Sequence, residues 1–221
     1  MKKGVLIFGL LFIFLLAFVS AHQPRIVFGV DNSANNPVIV KNPEISQAFY
    51  GILNGKPDYY LVNSEGNFNL YVGMVTPYEQ EIKDFNFEIY KENKLIEIFN
   101  GSEIKWVEFY EEFGGDKYWQ GSEFDENVSA GSYLIKVYNS DNQGKYSLAI
   151  GKAESFPLDE SLKTLFILPR LKKEFFGKSY FSLFEGKIIQ WLSLLVLFLI
   201  IIIMIIYIFV RKYMKKHLKK H

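Results

Sequence analysis

The sequence predicts an all-β ectodomain, an antiparallel jelly roll or β-sandwich, followed by a short helical stalk and one C-terminal transmembrane α-helix. Three observations carry that prediction. Residues 25–150 are a series of short apolar and aromatic runs punctuated by Gly, Pro, Asn and Asp, the pattern of many short antiparallel strands. Residues 188–210 run for 23 positions without a charged side chain. The charge is also polarised. All 24 acids lie between Asp31 and Glu185, whereas eight of the 25 bases lie at the two ends of the chain. Residues 22–187 therefore hold 17 bases and a net charge of −7, although the whole chain carries only +1. A length of 221 residues allows one or two domains. The balanced charge excludes a chain-wide nucleic-acid binder, and no nucleic-acid partner is expected.

The two apolar segments set the topology. Lys2 and Lys3 precede an apolar run of 15 residues, 4–18, and Val19-Ser20-Ala21 offers small residues for signal peptidase. Residues 1–21 are expected to be a signal peptide, cleaved after Ala21 to leave His22 first; an uncleaved signal anchor is the alternative. Residues 188–210 would span about 34 Å as a helix, enough for a hydrocarbon core of about 30 Å with some tilt. Trp191 and Tyr207 lie near its ends, where amphipathic rings prefer the interface. The tail, residues 211–221, has six Lys/Arg and no acid, which places it in the cytoplasm. The chain is thus expected in the cell membrane, crossing once, with its N-terminus extracytoplasmic and the lipid bilayer as its first partner.

Between these segments, strands are expected at 26–30, 38–41, 48–53, 58–63, 68–75, 86–91, 94–99, 106–110, 121–128, 131–138 and 144–150, forming one domain over 22–150. Alternation marks half-buried strands: Tyr133, Ile135 and Val137 share one face, as do Phe85, Phe87 and Ile89. Glu92-Asn93 reads as a tight hairpin, and Asn54-Gly55-Lys56-Pro57 and residues 139–144 as hairpin loops. With no cysteine, an exported domain must be held by its core alone.

Residues 46–63 (SQAFYGILNGKPDYYLVN), followed by the strand FNLYV at 68–72, resemble the "G-x-L … D-x-Y-x-F" opening of the bacterial pre-peptidase C-terminal (PPC-like) domain. Residues 128–138 (VSAGSYLIKVY) and then GKYSL at 144–148 resemble its "AG-x-Y-x-I-x-V … G-x-Y-x-L" close. The resemblance covers roughly residues 40–150. It implies a jelly-roll sandwich with Gly131 at a tight turn and Tyr133 and Tyr146 as paired core aromatics. It also implies an accessory, non-catalytic role in binding or targeting. Such modules usually accompany a peptidase, and this sequence carries none.

Residues 151–187 form a juxtamembrane amphipathic stalk. Pro157 opens a helix with Leu158, Leu162, Leu165 and Phe166 at i, i+4, i+7 and i+8, and Pro169 is expected to break it. Phe175, Phe176, Tyr180, Phe181 and Phe184 follow directly before the span. Two arrangements are open: an interfacial segment lying on the outer leaflet, or a helix packed on the sandwich.

The chemistry on offer is sparse. Between 22 and 187 there is one histidine, His22, and no cysteine, so a Ser-His or Cys-His site has no base unless the extreme N-terminus supplies it. No HExxH, CxxC or phosphate loop is present. No catalytic residue and no enzyme activity are expected. Glu108, Glu111, Glu112 and Asp116 cluster around Gly114-Gly115, with Glu123 and Asp125 following. As hard oxygen ligands they are candidates for calcium, the one cofactor in view; a carboxylate pair is also the equipment of a glycosidase, and a solvated acidic loop is the simplest alternative. Trp106, Tyr118 and Trp119 are candidates for stacking on a sugar face, against the default of core packing. Asn100-Gly101-Ser102 and Asn127-Val128-Ser129 match the glycosylation triplet. The resulting expectation is a membrane-anchored surface module that binds a protein, glycan or envelope component. A structural subunit resembling the GOLD-domain cargo receptors is the alternative, although their disulfide pair and their paired-Phe and terminal di-lysine tail signals are missing.

Overall fold

The computed structural model describes residues 22–80, 84–155 and 157–218. The expected signal peptide and the last three residues of the tail lie outside them. Two sheets pack face to face. The first contains β1 (Gln23–Ile26), β3 (Gln47–Asn54), β11 (Gln143–Ile150), β5 (Phe68–Pro77), β9 (Asp116–Val128) and β8 (Val107–Glu111), in the order β1-β3-β11-β5-β9-β8. The second contains β2 (Val38–Val40), β4 (Asp58–Ser64), β10 (Gly131–Tyr138), β6 (Asn86–Lys91) and β7 (Lys94–Phe99), in the order β2-β4-β10-β6-β7. The pairs β1–β3 and β2–β4 are parallel, and the other neighbours are antiparallel. The chain therefore forms the antiparallel-dominated β-sandwich that its alternation predicts. Two strands differ from expectation. β1 ends where 26–30 was to begin, and β9 starts at Asp116 rather than residue 121 because residues 116–120 pair with β8.

Each sheet turns its alternate residues inward. Phe49, Leu53, Leu70, Val72, Leu148 and Ile150 face Tyr60, Val62, Phe87, Ile89, Ile135 and Val137, all buried in one core. The Glu92-Asn93 hairpin has φ of 48° and 67° at its two central residues, the left-handed pair that suits the twist of a two-residue turn. Gly131 opens β10 at φ 146°, a backbone angle that favours glycine.

The motif residues meet in the middle of this core. Tyr146 on β11 donates to the carboxylate of Asp58 on β4 at 2.6 Å, and its oxygen lies 2.6 Å from the hydroxyl of Tyr60. The Tyr146 ring crosses the space over Gly51, which any β-carbon there would invade. Glycine in "G-x-L" thus makes room for tyrosine in "G-x-Y"; the aspartate of "D-x-Y" accepts its hydroxyl proton, and the tyrosine of "D-x-Y" turns its own hydroxyl to the Tyr146 oxygen. Tyr133 is equally buried, but its ring meets Phe68 at 5.7 Å edge to face, while Tyr146 lies against Phe85. The two tyrosines expected to pair are separate anchors of one core.

The stalk is packed on the sandwich. α1 (Leu158–Arg170) runs into a wide π-helical turn, Leu171–Phe175, and a 3-10 turn, Tyr180–Glu185, precedes α2 (Lys187–Leu218). Pro169 does not break α1. It sits in the last turn, where the ladder is already widening toward the π turn, closed by the Phe176 N–H on the Leu171 carbonyl at 3.0 Å. Leu171 and Phe175 join Phe28 in a second core covering the outward residues of β1 and β3, Ile26, Tyr50 and Ile52. The docked face is not the expected one. Leu158, Leu162 and Phe166 are exposed and Leu165 is half-buried, whereas Thr164 and Leu168 are buried; Ile167, Leu171 and Phe175 pack into the second core, and Arg25 on β1 reaches Glu160 at 2.7 Å. Within α2, residues Val196–Met214 are long and apolar enough to cross a membrane.

Candidate functional site

The most unusual chemistry in the described residues lies where the stalk meets the β8–β9 loop. Lys172, in the π turn, is 1 % exposed. It continues an apolar face at helical spacing, Leu168, Leu171, Lys172 and Phe175, so folding carries its ammonium into the interior. There it meets Asp116 at the start of β9 at 2.7 Å and donates to the Gly114 carbonyl at 2.8 Å. Lys178 reaches the same Asp116 oxygen at 3.1 Å and Glu79 at 2.9 Å. Burial works against the charge of Lys178, but Glu79 and Asp116 together hold its pKa above the usual lysine value. A buried charge is tolerated only when paired and hydrogen-bonded, and Asp116 is served by two cations.

The backbone closes over this cluster. Glu111 accepts the Phe113 and Gly114 N–H groups, each at 2.7 Å, and burial raises its pKa despite those bonds. Gly115, at φ 76°, lies so near the juxtamembrane chain that a β-carbon would meet the Glu185 carbonyl carbon at 2.6 Å. A β-carbon on Gly186 would meet the Gly114 oxygen at 2.6 Å. One residue later, the Lys187 N–H bonds the Glu112 carbonyl at 2.9 Å and its ammonium pairs with the Glu112 carboxylate. Gly114-Gly115, around which the candidate ligands cluster in sequence, lets the start of α2 pack backbone to backbone against the sandwich.

The six candidate calcium ligands do not converge. Glu108 pairs with Lys117 at 2.7 Å, Glu112 with Lys187 and Asp125 with Lys152. Asp116 is held by Lys172 and Lys178, Glu111 by loop amides, and Glu123 by Gln120 at 2.5 Å. Among the described residues no group of three His, Cys, Asp or Glu side chains is placed to hold a metal ion. The physical reason is pairing: Lys117 comes from the neighbouring strand, but Lys152, Lys172, Lys178 and Lys187 come from distant segments that sequence proximity of the acids did not reveal.

The stacking trio is likewise dispersed. Trp106 is buried over Gly121, with its indole N–H on the Gly101 carbonyl at 2.9 Å. Tyr118 is buried, 3.4 Å from the Tyr50 hydroxyl and edge to face with Phe176, and burial pushes its pKa far up. Neither presents a face to a sugar. Trp119 is half-buried and already stacked on Tyr78 at 4.8 Å.

His22 does find a serine. Its Nδ1 contacts the Ser46 hydroxyl, and burial lowers its pKa, which favours the neutral ring. Ser46 is 4 % exposed, with its own N–H on the Ala153 carbonyl at 2.9 Å, whereas His22 is exposed. The two residues line a polar hollow of about 290 Å3 together with Tyr71, Glu123, Asp125, Lys152 and Glu154. An open groove of about 790 Å3 runs between β1, β2 and α1, lined in part by Arg25, Ile39, Gln47, Phe166 and Arg170.

No known sequence family matches this chain, and no curated protein matches it. Among solved structures it is similar to the pre-peptidase C-terminal domain of a collagenase from Bacillus anthracis. That likeness has 15 % identity and a TM-score of 0.30, and covers 59 % of this chain and 97 % of that one. A β-glucosidase from Paenibacillus barengoltzii is similar at 10 % identity and a TM-score of 0.27, over 61 % of this chain but 14 % of the glucosidase. The first is a domain of the kind the two sequence stretches resemble. At these TM-scores neither likeness bears on activity, and the sandwich rests on its own strand order.

Proposed function

We propose that this chain is a membrane-anchored, extracytoplasmic β-sandwich module, non-catalytic, that binds a protein, glycan or envelope component while held in a fixed pose at the bilayer. The observation that carries the reading is the junction. The sandwich joins its membrane-length helix through a buried Asp116–Lys172 pair and a glycine-to-glycine backbone contact rather than a slack linker. A display module gains from such a joint because the entropy of orienting its binding face is removed before a partner arrives. The signal-like N-terminus and basic tail support the outward orientation, and the presence of one histidine and no cysteine in residues 22–187 supports the non-catalytic role.

Two measurements test this. Because the chain lacks cysteine, Leu95→Cys on β7 and Lys219→Cys in the tail are clean reporters. A membrane-impermeant maleimide should label the first in intact cells and the second only after lysis; the reverse pattern overturns the orientation. Photo-crosslinkers at the exposed edge positions Ile98 and Phe109, and at Phe166 in the groove, should capture one discrete partner in the native envelope. No adduct from any of the three overturns the binding role.

A further inference from the structure

The 3-10 turn Tyr180–Glu185 is built unlike the rest of the docked stalk. Its interior member is the small residue Ser182, whose hydroxyl donates to the Ser179 carbonyl at 2.7 Å. Its aromatic members point away: Tyr180, Phe181 and Phe184 are 58 %, 81 % and 62 % exposed. Three exposed aromatics within five residues form a patch that water disfavours.

We propose that this turn is a lipid-seated foot, with Tyr180, Phe181 and Phe184 resting at the headgroup–acyl boundary of the leaflet that α2 enters. The covalent tether argues for lipid as the occupant. Phe184 lies four residues before Ile188, the first of the uncharged run, so at most about 14 Å of chain separates them. The headgroup layer beside a hydrocarbon core of about 30 Å is itself some 5–7 Å deep. The chain has no slack to move the turn elsewhere, because Gly186 is clamped against Gly114 and the Lys187 N–H is bonded to Glu112. Tyrosine and phenylalanine with a flanking lysine, here the exposed Lys187, are the residues that suit this depth. The stalk is then packed on the sandwich by one set of residues and seated on the membrane by another.

The proposal rests on the membrane-anchored reading, and the experiment separates the two. Single cysteines at Phe181→Cys, Phe184→Cys, Ile98→Cys and Ile203→Cys carry a nitroxide in the chain reconstituted into phosphatidylcholine/phosphatidylglycerol nanodiscs. Collision with oxygen, which prefers lipid, is compared with collision with a water-soluble nickel chelate. Phe181 and Phe184 should fall between Ile203 within α2 and Ile98 on β7, with chelate access several-fold below that at Ile98. Chelate access equal to Ile98 at both positions, with Ile203 protected, overturns the foot and leaves the anchor standing. Chelate access at Ile203 as well overturns both.

Discussion

Tyr146 donates to Asp58 at 2.6 Å across the two sheets of the sandwich. The bond links β11 of one sheet to β4 of the other, and Tyr60 adds its hydroxyl to the same tyrosine. Burial, opposed by the Tyr146 bond and the charge of Lys56, pushes the Asp58 carboxyl up from 3.8 to about 6. A polar bolt in an apolar core fixes which strands face each other, and it also makes the core sensitive to pH.

The sign of that sensitivity follows from the raised value. Between about pH 4 and pH 6 the folded protein keeps a proton on Asp58 that the unfolded chain has already released. Stability should therefore fall as pH rises through this window, by about 3 kcal/mol in all, and level off above it. His22 contributes with the opposite sign, because its lowered pKa penalises acid. Asp58→Asn isolates the carboxyl: in urea titrations at pH 4, 5, 6 and 7, the gap between wild type and variant should change by that amount. Parallel pH profiles would remove Asp58 as the titrating group.

Core truncation should rank the two tyrosines. Tyr133→Ala should cost about 3 kcal/mol or more, as for other large buried aromatics. Tyr146→Ala should cost about 1–3 kcal/mol beyond that, because it leaves Asp58 and Tyr60 without their shared partner. Chemical denaturation reads both, and losses under about 0.5 kcal/mol at both positions would show that the register is wrong.

At the junction, Asp116→Ala strands Lys172 in the interior and should cost about 3–5 kcal/mol. Lys178→Ala leaves the Asp116–Lys172 pair intact and should cost about 1 kcal/mol or less, since Lys178 retains 23 % side-chain exposure. Denaturation of the detergent-solubilised chain distinguishes them. Equal effects would mean that the two lysines share the carboxylate evenly.

Gly186→Ala should pry the start of α2 from the β8–β9 loop without touching the main core. Tryptic cleavage after Lys178 and Lys187 should then accelerate by about tenfold or more, the result of weakening local closure by about 1.4 kcal/mol. An unchanged cleavage rate would show that the loop yields to the extra methyl group.

Calcium at millimolar concentration should leave the melting temperature unchanged at constant ionic strength, because the six acidic candidates are engaged separately by lysines, amides and Gln120. A rise of several degrees with calcium, and not with magnesium, would mean that these pairs open to form a site.

By itself the sequence determined what local pattern can determine. Period-two alternation in residues such as Tyr133, Ile135 and Val137 assigned an inward face without knowledge of the neighbouring strand. Turn chemistry at Glu92-Asn93 placed a hairpin, and the long uncharged run in α2 marked a membrane-length helix. These signals depend on a residue and its near neighbours, so one dimension contains them. The tertiary structure decided everything that rests on a partner far along the chain. Asp116 and Lys172 are 56 residues apart, and a row of acids gives no sign of which cation each will meet. Trp106 and Tyr118 look the same in sequence whether they pack inward or await a ligand, because burial is a property of what covers a ring. The stalk followed the same rule. Its apolar stripe at Leu158, Leu162 and Phe166 was visible, but the second core around Phe175 chose the opposite side of α1 to dock.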